Sequence, residues 1–351
     1  MPQTRALDTE IYIPTPGEGE VWSPWTVHTH YYSFSADEGN IGAYLYLRWQ
    51  PASRTSQGGV SIFEGSDAVE TLDMAHHDYR NTLGWPEVTE DGRKFTMAQN
   101  YAIEYAEDLK SARLTYNSAD GGTSFDLVTT GVTPLYARGH VVPTELGLEG
   151  HALQPGGSDQ LVDVVGDLVL NGKHHDVDCH AFRDRSWGQL RPEAPMATPP
   201  AACIPQYYGP DLAFNAVTIE HPDTDPSWRG IYEWPEDRSP VLYGWGMVDG
   251  EFVDIVDVVR DCSDFHPDHT CPQHQEVDIT FSNGKTIHVV GDMVSMTTVF
   301  TWANAIVRCG VYRWQAPDGR IAYDSYQEMY FDGSYAREMR RRLRSGAVGS
   351  A

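Results

Sequence analysis

The segment HHDVDCHAFRDRSWG, residues 174–188, is the most informative part of the chain. Read as an extended strand, it sends successive side chains to opposite faces. One face carries His174, Asp176, Asp178, His180, Phe182 and Asp184, and the other carries His175, Val177, Cys179, Ala181, Arg183, Arg185 and Trp187. Acids and imidazoles are costly to bury unless they bind something or are hydrogen-bonded. A row of them therefore indicates a binding site, a proton-transfer row or a face turned to water.

Strand-like alternation continues outward from this segment in both directions. In IGAYLYLRW, residues 41–49, the apolar Ile41, Leu45 and Leu47 share one face. Turn signals such as Asn171-Gly172 separate the apolar runs, and 22 Pro and 32 Gly are scattered between them. The pattern predicts an all-β protein of ~15–20 strands built as sandwich or barrel units. The best helix candidate is SYAREMRRRLR, residues 334–344, which predicts a short C-terminal helix.

The length and internal punctuation predict two domains. A chain of 351 residues can form two domains of ordinary size. The Gly/Pro-rich segment GHALQPGGSDQ, residues 150–160, places the predicted boundary so that residues 1–155 form one β domain and 156–351 the other. A second segment, RPEAPMATPPAACIPQ at 191–206, is rich in Pro and Ala and predicts a lid or crossover over the site.

Composition and charge exclude several classes of partner. With 25 basic and 50 acidic residues the formal charge is −25, which disfavours nucleic acid and anionic membrane surfaces. The basic cluster Arg337–Arg344 is interpreted as a solvated terminal helix on an acidic body. No run reaches the ~18 apolar residues of a membrane span, and no signal-peptide layout opens the chain. Five cysteines, an odd number, favour a reduced, cytoplasmic protein.

Asp184, Trp187 and Gly188 form the most specific chemical feature of the sequence. Strict alternation sends Asp184 and Trp187 to opposite faces, but a bulge near Ser186-Trp187, made easier by Gly188, would bring them together. A carboxyl group among apolar walls retains its proton and can act as a general acid, and an indole face can stabilise a cation. The alternative is a buried ion pair of Asp184 with Arg183 or Arg185, capped by a core tryptophan.

The segments LVDVVGDLVLNGKHHDVD, residues 161–178, and HAFRDRSWG, residues 180–188, resemble a known family pattern, and the match covers about residues 160–190. The pattern is G-x-l-x-G-x…D-x-x-W-G of the tandem lipocalin-like proteins, which include hydroxyneurosporene synthase (carotenoid hydratase), AttH-like proteins and fungal Diels–Alderases. The resemblance implies two lipocalin-like β-barrel domains and an apolar ligand bound at or between the barrels. It carries over to Asp184, Trp187 and Gly188. Where the hydratases tend to have an imidazole beside the acid, this chain has Arg183 and Arg185.

A second histidine row lies in TVHTHYYSF, residues 26–34, where His28, His30, Tyr32 and Phe34 share one strand face. As a barrel interior this face would mix proton-transfer groups with an aromatic wall. The alternatives are hydrogen-bonded barrel residues or an exposed face. Further along the chain, the aromatic residues Tyr208, Tyr243 and Trp245 are interpreted as pocket or core residues.

The segment CSDFHPDHTCPQHQ, residues 262–275, is a weaker candidate for metal binding. It offers the zinc-type ligands Cys262, His266, His269, Cys271 and His274. Their spacing matches no standard zinc finger, and a disulfide between Cys262 and Cys271 or a polar loop near a pocket rim are alternatives. No glycine-rich phosphate loop and no G-x-S-x-G motif occurs in the sequence. We therefore expect no cofactor.

These observations predict an enzyme that acts on a hydrophobic small molecule of the terpenoid, steroid or polyketide kind without a cofactor. The predicted reaction is hydration or dehydration, isomerisation or cyclisation. Asp184 is the predicted general acid, Trp187 the aromatic wall, and His180 or His30 the partner base. Two alternatives stay open: a lipocalin-like carrier that binds its ligand unchanged, and a metal-dependent enzyme that uses the Cys262–His274 loop.

Overall fold

The computed structural model describes residues 2–138, 156–191, 198–222, 228–232, 240–268 and 271–345. Within them the chain forms 20 β-strands, two short 3₁₀ helices (Leu7–Ile11 and Thr71–Asp73) and one α-helix. The prediction of an all-β protein with a short C-terminal helix is confirmed. His269 of the predicted metal loop lies outside the described residues.

The first twelve strands belong to one sheet. They are β1 (Thr26–Ala36), β2 (Ile41–Gln50), β3 (Thr55–Glu64), β4 (His76–Gly84), β5 (Glu87–Val88), β6 (Lys94–Thr96), β7 (Ala102–Tyr105), β8 (Ser111–Asn117), β9 (Ser124–Gly131), β10 (Tyr136–Arg138), β11 (Gly156–Leu170) and β12 (Lys173–Leu190). The strand order is β4-β3-β2-β1-β12-β11-β9-β8-β7-β6-β5, and β10 pairs with β11. We call this the first sheet, and its core face is the side that carries the main hydrophobic cluster.

The β11–β12 hairpin shows how local sequence sets the first sheet. Asn171 and Gly172 both have positive φ, 51° and 80°, as a tight two-residue hairpin turn requires. The strands then pair without interruption from Leu170↔Lys173 to the far end of the hairpin. Along the part of β12 nearest the turn, buried and exposed residues alternate, which fixes the register because a one-residue slip would expose the core face.

Pairing of β1 with β12 positions the candidate site. The two strands are antiparallel, with His30 opposite Arg185 and Tyr32 opposite Arg183. Directly opposite residues project from the same face of a sheet. Histidine, tyrosine and two arginines of distant sequence therefore share the core face of the first sheet. Every residue of β1 is buried.

The remaining eight strands close into a barrel. They are β13 (Ala201–Gly209), β14 (Leu212–Ile219), β15 (Val241–Val248), β16 (Glu251–Phe265), β17 (Pro272–Phe281), β18 (Thr286–Trp302), β19 (Ala305–Gln315) and β20 (Ile321–Phe331). Closure between β13 and β20 has three paired positions, ending at Cys203↔Gln327. Two residues further along β13, Pro205 has no N–H to donate to that ladder, which accounts for its end. We call this the second barrel.

The chain divides into two compact units that differ from the predicted domain bounds. One contains Pro2–Phe63 and Met74–Pro192, and the other contains Glu64–Asp73 and Glu193–Ala351. The predicted boundary at residues 155 and 156 falls inside the first of these, because β11 and β12 pair within the first sheet. In the predicted lid, residues 192–197 lie outside the described residues, and Ala201–Gly209 form β13.

Helix α1 (Asp332–Ser345) follows β20 directly. The sequence predicts that the basic residues of this helix are solvated, and Arg340 is indeed exposed. That expectation is wrong for Arg342, which is 6% exposed because it pairs with the buried carboxylate of Glu338 and lies over the ring of Phe265 at 4.4 Å. None of the helices in the described ranges has the length and apolar character that crossing a bilayer demands.

Candidate active site on the core face of the first sheet

Glu10 lies at the centre of a buried polar cluster. It belongs to the short 3₁₀ helix Leu7–Ile11, which precedes the first strand, and it is 1% exposed. Its Oε1 accepts a hydrogen bond from Ser158 Oγ at 2.7 Å, and its Oε2 accepts one from the Tyr105 hydroxyl at 3.4 Å. The Arg183 guanidinium donates to the same Oε2. We call Glu10, His30, Tyr32, Tyr105, Arg183 and Arg185 the Glu10 cluster.

Two buried arginines of β12 supply the positive charge of the Glu10 cluster. Arg183 also donates to Gln160 Oε1 through its Nε, at 3.0 Å. Arg185, 1% exposed, donates only to backbone carbonyls among the described residues, with Nε 3.1 Å from Glu10 O and Nη1 3.0 Å from Ser186 O. Its Nη2 has no hydrogen-bond partner in the described part of the chain. One carboxylate thus faces two guanidinium groups.

His30 is a buried imidazole between aromatic rings. Its ring centroid lies 5.1 Å from that of Phe95 and 5.6 Å from that of Trp49. Burial, and next the charge of Arg185, lower the pKa of His30 well below its usual value. The ring is therefore neutral at neutral pH. Its Nε2 is 3.4 Å from Glu10 O, and its Nδ1 has no hydrogen-bond partner within the described ranges.

Tyr32 and Tyr105 provide protonated hydroxyl groups in the same core. Their oxygens are 2.9 Å apart. Burial is the main cause that raises the pKa of Tyr32 and raises that of Tyr105 well above the ordinary value. Both phenols therefore keep their protons at neutral pH and can donate hydrogen bonds.

The surroundings of the Glu10 cluster are apolar and aromatic. Two further buried groups of this core, the Trp49 indole N–H and the Tyr101 hydroxyl, have no hydrogen-bond partner among the described residues. Buried polar atoms of folded proteins nearly always have a partner, so these groups are available to hydrogen-bond a bound molecule. The core face therefore combines a neutral base, neutral acids and an anion-binding pair of guanidinium groups with aromatic walls.

A family model for a domain of unknown function, DUF7064, matches residues 16–324. The chain belongs to the DUF7064 family. No curated protein sequence matches it significantly. Both the Glu10 cluster's strands and the second barrel fall largely within the matched range.

Solved structures with a similar fold extend over almost the whole DUF7064 chain. An AttH-like protein from Nitrosomonas europaea superposes with a TM-score of 0.56 at 12% identity, covering 92% of this chain and 99% of its own. CghA superposes with a TM-score of 0.54 at 11% identity, covering 89% of this chain and 90% of its own. Kievitone hydratase from Nectria haematococca superposes with a TM-score of 0.48 at 11% identity, covering 88% of this chain and 90% of its own. The predicted resemblance to the tandem lipocalin-like proteins is confirmed at the level of the fold.

Asp184 of the DUF7064 chain lies on the face of β12 opposite to the Glu10 cluster. Its Oδ2 is 2.9 Å from Nη1 of Arg138, and its side chain is 17% exposed. Arg138 also approaches Asp159, with Nε 3.6 Å from Oδ1. The ion pair that the sequence left as the alternative is therefore present. Its partner is Arg138 instead of Arg183 or Arg185, because alternation turns those two to the core face.

The predicted bulge beside Trp187 is present. The register of β1 against β12 shifts between Thr29↔Ser186 and Val27↔Gln189, and Gly188 has a φ of 66°. The Trp187 indole packs on Gly156, where a Cβ atom would collide with it. The guanidinium carbons of Arg5 and Arg185 lie 4.9 and 5.5 Å from the Trp187 ring centroid. In the described residues, the cations that contact the Trp187 ring are thus the guanidinium groups of these two arginines.

The acid and imidazole row of β12 faces solvent. His180 is 45% exposed and its Nδ1 lies 2.6 Å from Asp163 Oδ1. His174, Asp176 and Asp178 are exposed as well. Of the three alternatives for this row, a face turned to water holds for the part before Ala181, since the core lies on the other face. Asp167, His174 and Asp176 converge closely enough to hold a metal ion, and they are all exposed.

His28 is tied to the backbone through both ring nitrogens. Its Nε2 is 2.7 Å from Pro14 O, and its Nδ1 accepts a hydrogen bond from Gly188 N at 3.0 Å. It therefore joins the N-terminal segment to the bulge, as the hydrogen-bonded alternative predicted. His30 and Tyr32 are the members of the second histidine row that lie in the Glu10 cluster.

The three other predicted aromatic residues belong to the second compact unit. Tyr208 lies inside the second barrel and donates to Gln206 Oε1. Tyr243 and Trp245 lie on the outer face of β15, because they stand opposite Val217 and Asn215 of β14, whose neighbours Phe214 and Ala216 face the core. Trp245 is nevertheless fully buried. The structure therefore places these aromatics and the Glu10 cluster in different units.

Asp324 of the second barrel was not predicted from the sequence. It is 1% exposed, its Oδ2 accepts a hydrogen bond from Tyr207 N at 2.7 Å, and its Oδ1 has no partner among the described residues. Burial raises the pKa of Asp324 to about 8. A carboxyl that keeps its proton thus exists in this protein at position 324. The only hint in the sequence is the alternation of IAYDSYQEMYF, which places Asp324 in register with buried residues.

The predicted metal loop does not bring its ligands together in the described residues. Cys262 lies beside Arg260, with Sγ 3.5 Å from Nη2, and Cys271 is fully buried. His274 points outward to Asp292 at 2.8 Å, and that hydrogen bond raises its pKa. His266 is buried, with Nε2 3.7 Å from Asp67 Oδ1. All five cysteines are free thiols, so the predicted alternative of a Cys262–Cys271 disulfide is wrong.

A second buried charge cluster lies beneath α1. Glu338 is fully buried and pairs with Arg341 and Arg342. Arg260 reaches Tyr326 OH at 2.8 Å and approaches Glu328 at 3.7 Å. A cavity of about 10 Å³, room for a single water molecule, lies among these side chains. The polar groups here mainly satisfy one another.

Proposed function

We propose that this protein is a cofactor-independent enzyme that transfers protons on a hydrophobic small molecule bound at the core face of the first sheet. The reaction is a hydration or dehydration, an isomerisation or a cyclisation. The observation that carries the proposal is the combination, in one aromatic core, of a neutral His30 with an unpartnered Nδ1 and the protonated hydroxyls of Tyr32 and Tyr105. Proton transfer by positioned side chains typically contributes about 10²–10⁴-fold to rate.

Four members of the Glu10 cluster have a role in the reaction of this proposal. His30 Nδ1 accepts the proton that leaves the substrate, and Tyr105 donates a proton through its hydroxyl. Arg183 and Arg185 stabilise negative charge that develops on a substrate oxygen, as preorganised donors do in a dry site. The steps need no redox or metal cofactor, because protons and water are the only species exchanged.

Three observations support the substrate class and setting. Trp49 and Phe95 beside His30 form walls suited to an apolar skeleton of the terpenoid, steroid or polyketide kind. The fold is similar to that of CghA, with a TM-score of 0.54, and the sequence resembles the family that includes fungal Diels–Alderases. Five free thiols are consistent with a reducing compartment, which favours the cytoplasm.

The general-acid role predicted for Asp184 stays a prediction. Its contact with Arg138 and its place on the face opposite His30 support a structural ion pair better than proton transfer. His180, the other predicted base, is exposed and paired with Asp163.

The test begins with native mass spectrometry and solvent extraction of purified protein to identify a bound molecule. That molecule and its hydrated, dehydrated and isomeric forms are then incubated with the enzyme in D₂O. Proton transfer predicts conversion with incorporation of solvent deuterium, and His30→Gln should abolish both. His180→Gln is the matched control, since that exposed imidazole should be dispensable. Recovery of an unchanged ligand from the wild type under all these conditions would instead support a carrier.

A further inference from the structure

The Glu10 carboxylate occupies an anion-binding pocket built by other elements. Its contacts come from β7 through Tyr105, from β11 through Ser158 and from β12 through Arg183, whereas Glu10 itself precedes β1. The backbone carbonyl of Glu10 also accepts from Arg185 at 3.1 Å. The pocket is thus formed by strands of the first sheet, and the carboxylate that fills it belongs to the 3₁₀ helix Leu7–Ile11.

The pocket carries more positive than negative charge. Arg183 and Arg185 are both at most 5% exposed, His30 is neutral, and Glu10 is the single carboxylate in hydrogen-bond contact with these side chains in the described residues. Arg185 Nη2 has no hydrogen-bond partner there. Two buried guanidinium groups thus lie beside one carboxylate, in a chain whose formal charge is −25. A buried charge without a counter-charge is unfavourable, so this pocket favours a bound anion over a neutral group.

The N-terminal segment is held on both sides of Glu10. Before it, Arg5 N donates to Leu135 O at 2.8 Å, and Ala137 N donates to Gln3 O at 2.8 Å. After it, Pro14 O contacts His28 Nε2 at 2.7 Å. Between these anchors the short turn Leu7–Ile11 carries Glu10 with no side-chain cap at its start. These anchors do not involve the Glu10 side chain, so its departure from the pocket would leave them intact.

We infer that the substrate of this site is an apolar molecule that carries a carboxylate. This carboxylate replaces that of Glu10 on Arg183, Ser158 and Tyr105, and it also binds the unpartnered Nη2 of Arg185. The inference rests on the site of the proposed function and adds the chemical class. A neutral ligand that displaced Glu10 would leave two buried guanidinium groups without a counter-charge, which is strongly unfavourable. An anionic ligand keeps the pairing, and a planar carboxylate matches the fork geometry of arginine.

The test uses two probes of one skeleton, sodium 2-naphthoate and methyl 2-naphthoate, in isothermal titration calorimetry. Glu10→Gln removes the competing charge and keeps the shape. We expect naphthoate to bind Glu10→Gln about tenfold or more tightly than the wild type, with the ester changed by less than about twofold. Adding Arg185→Gln should cancel the gain. Glu20→Gln, an exposed acid of the same segment, is the matched control and should bind both probes as the wild type does.

A second measurement covers the case in which Glu10→Gln does not fold. In the wild type, saturating naphthoate should increase amide hydrogen exchange in residues 7–11, because Glu10 leaves its partners, while the ester should not. Equal gains for naphthoate and ester, or no increase in exchange, would overturn the inference. Both tests measure binding and are independent of turnover. If carboxylate selectivity fails, loss of turnover in His30→Gln still supports the proposed function. If His30→Gln keeps its turnover, carboxylate selectivity still supports this inference.

Discussion

The hydroxyl oxygens of Tyr32 and Tyr105 lie 2.9 Å apart in the core of the first sheet. Tyr105 also reaches Glu10 Oε2 at 3.4 Å, and Arg183 binds the same oxygen. A continuous series of hydrogen bonds thus connects a phenol of β1 to a guanidinium of β12. Because both phenols stay protonated, the series can deliver a proton from one end while the guanidinium holds the charge of Glu10.

Tyr105→Phe removes the proposed proton donor and keeps the ring. We expect kcat to fall about 10²–10³-fold, because the hydroxyl contributes general-acid catalysis, with little change in thermal midpoint. Product formation by liquid chromatography and mass spectrometry measures it. Tyr116→Phe is the control in the same unit, since its hydroxyl contacts Asp78 and His76 instead. Equal loss in both variants would refute a specific role for Tyr105.

His30→Gln tests the neutral imidazole through pH. The folded-state pKa of His30 is well below 6.5, so the base form persists as the pH falls, and the acid limb of the kcat profile should lie below pH 6.5. The free energy of unfolding should also depend on pH through His30. The unfolded chain binds the proton more readily, so the wild type should lose stability relative to His30→Gln as pH falls below 6.5. Urea titrations of the two proteins across pH 5–8 measure it, and parallel curves would contradict the assignment.

Much of the fold could be predicted because its signals are local. Asn171-Gly172 requires positive φ at both residues and sets the β11–β12 hairpin. Gly188 marked the bulge beside Trp187, and basic helical spacing marked α1. The domain bounds were harder, because a Gly/Pro-rich segment looks the same between domains and between strands of one sheet.

The site was only partly predictable, because its members are distant in sequence. His30 and Tyr32 could be identified from alternation on one strand. Glu10 could not, since the segment LDTEI has no periodic pattern and its partner Arg183 is 173 residues away. The sequence favours Asp184 over Arg183 because a carboxyl group suggests proton transfer more directly than a guanidinium does. Which face of β12 meets the core depends on its pairing with β1, and that register is not written in β12 alone.

Asp184→Asn distinguishes an ion pair from a general acid. If Asp184 mainly holds Arg138, the variant should lose about 1–3 kcal/mol of stability and keep most of its turnover per folded molecule. The pair is 17% and 5% exposed, so solvent screens it only in part. Urea unfolding and specific activity, both corrected for folded fraction, measure the two effects. Abolished turnover with unchanged stability would restore the general-acid prediction and remove Tyr105 from that role.

Glu338→Gln tests how α1 is held on its unit. The carboxylate is fully buried and bonds both Arg341 and Arg342, so its removal leaves buried positive charge with less compensation. We expect a loss of about 3–5 kcal/mol in the free energy of unfolding. Arg340→Ala, at an exposed position of the same helix, should stay within about 0.5 kcal/mol. A loss of similar size in both variants would indicate that the helix itself, and not the buried pair, is what the substitution disturbs.

Asp324→Asn should change how stability depends on pH. Burial raises the folded-state pKa of Asp324 from its ordinary value of 3.8 to about 8, so the native protein binds a proton that the unfolded chain releases. Stability that depends on this group is therefore fully present below pH 3.8 and declines by about 1.4 kcal/mol per pH unit up to pH 8. The asparagine variant cannot ionise and should lack this decline.

Urea midpoints of the wild type and Asp324→Asn, measured from pH 4 to pH 8.5, check this prediction. As the pH rises, the urea midpoint of the variant should increase relative to that of the wild type, and the two midpoints should be closest at pH 4. Asp318→Asn is the control of opposite sign, because hydrogen bonds from Arg320 lower the pKa of Asp318, and its loss should cost stability at neutral pH. If the wild type and Asp324→Asn ran parallel across the range, the carboxyl at position 324 would have to be ionised in its barrel, paired with a cation that the described residues do not supply.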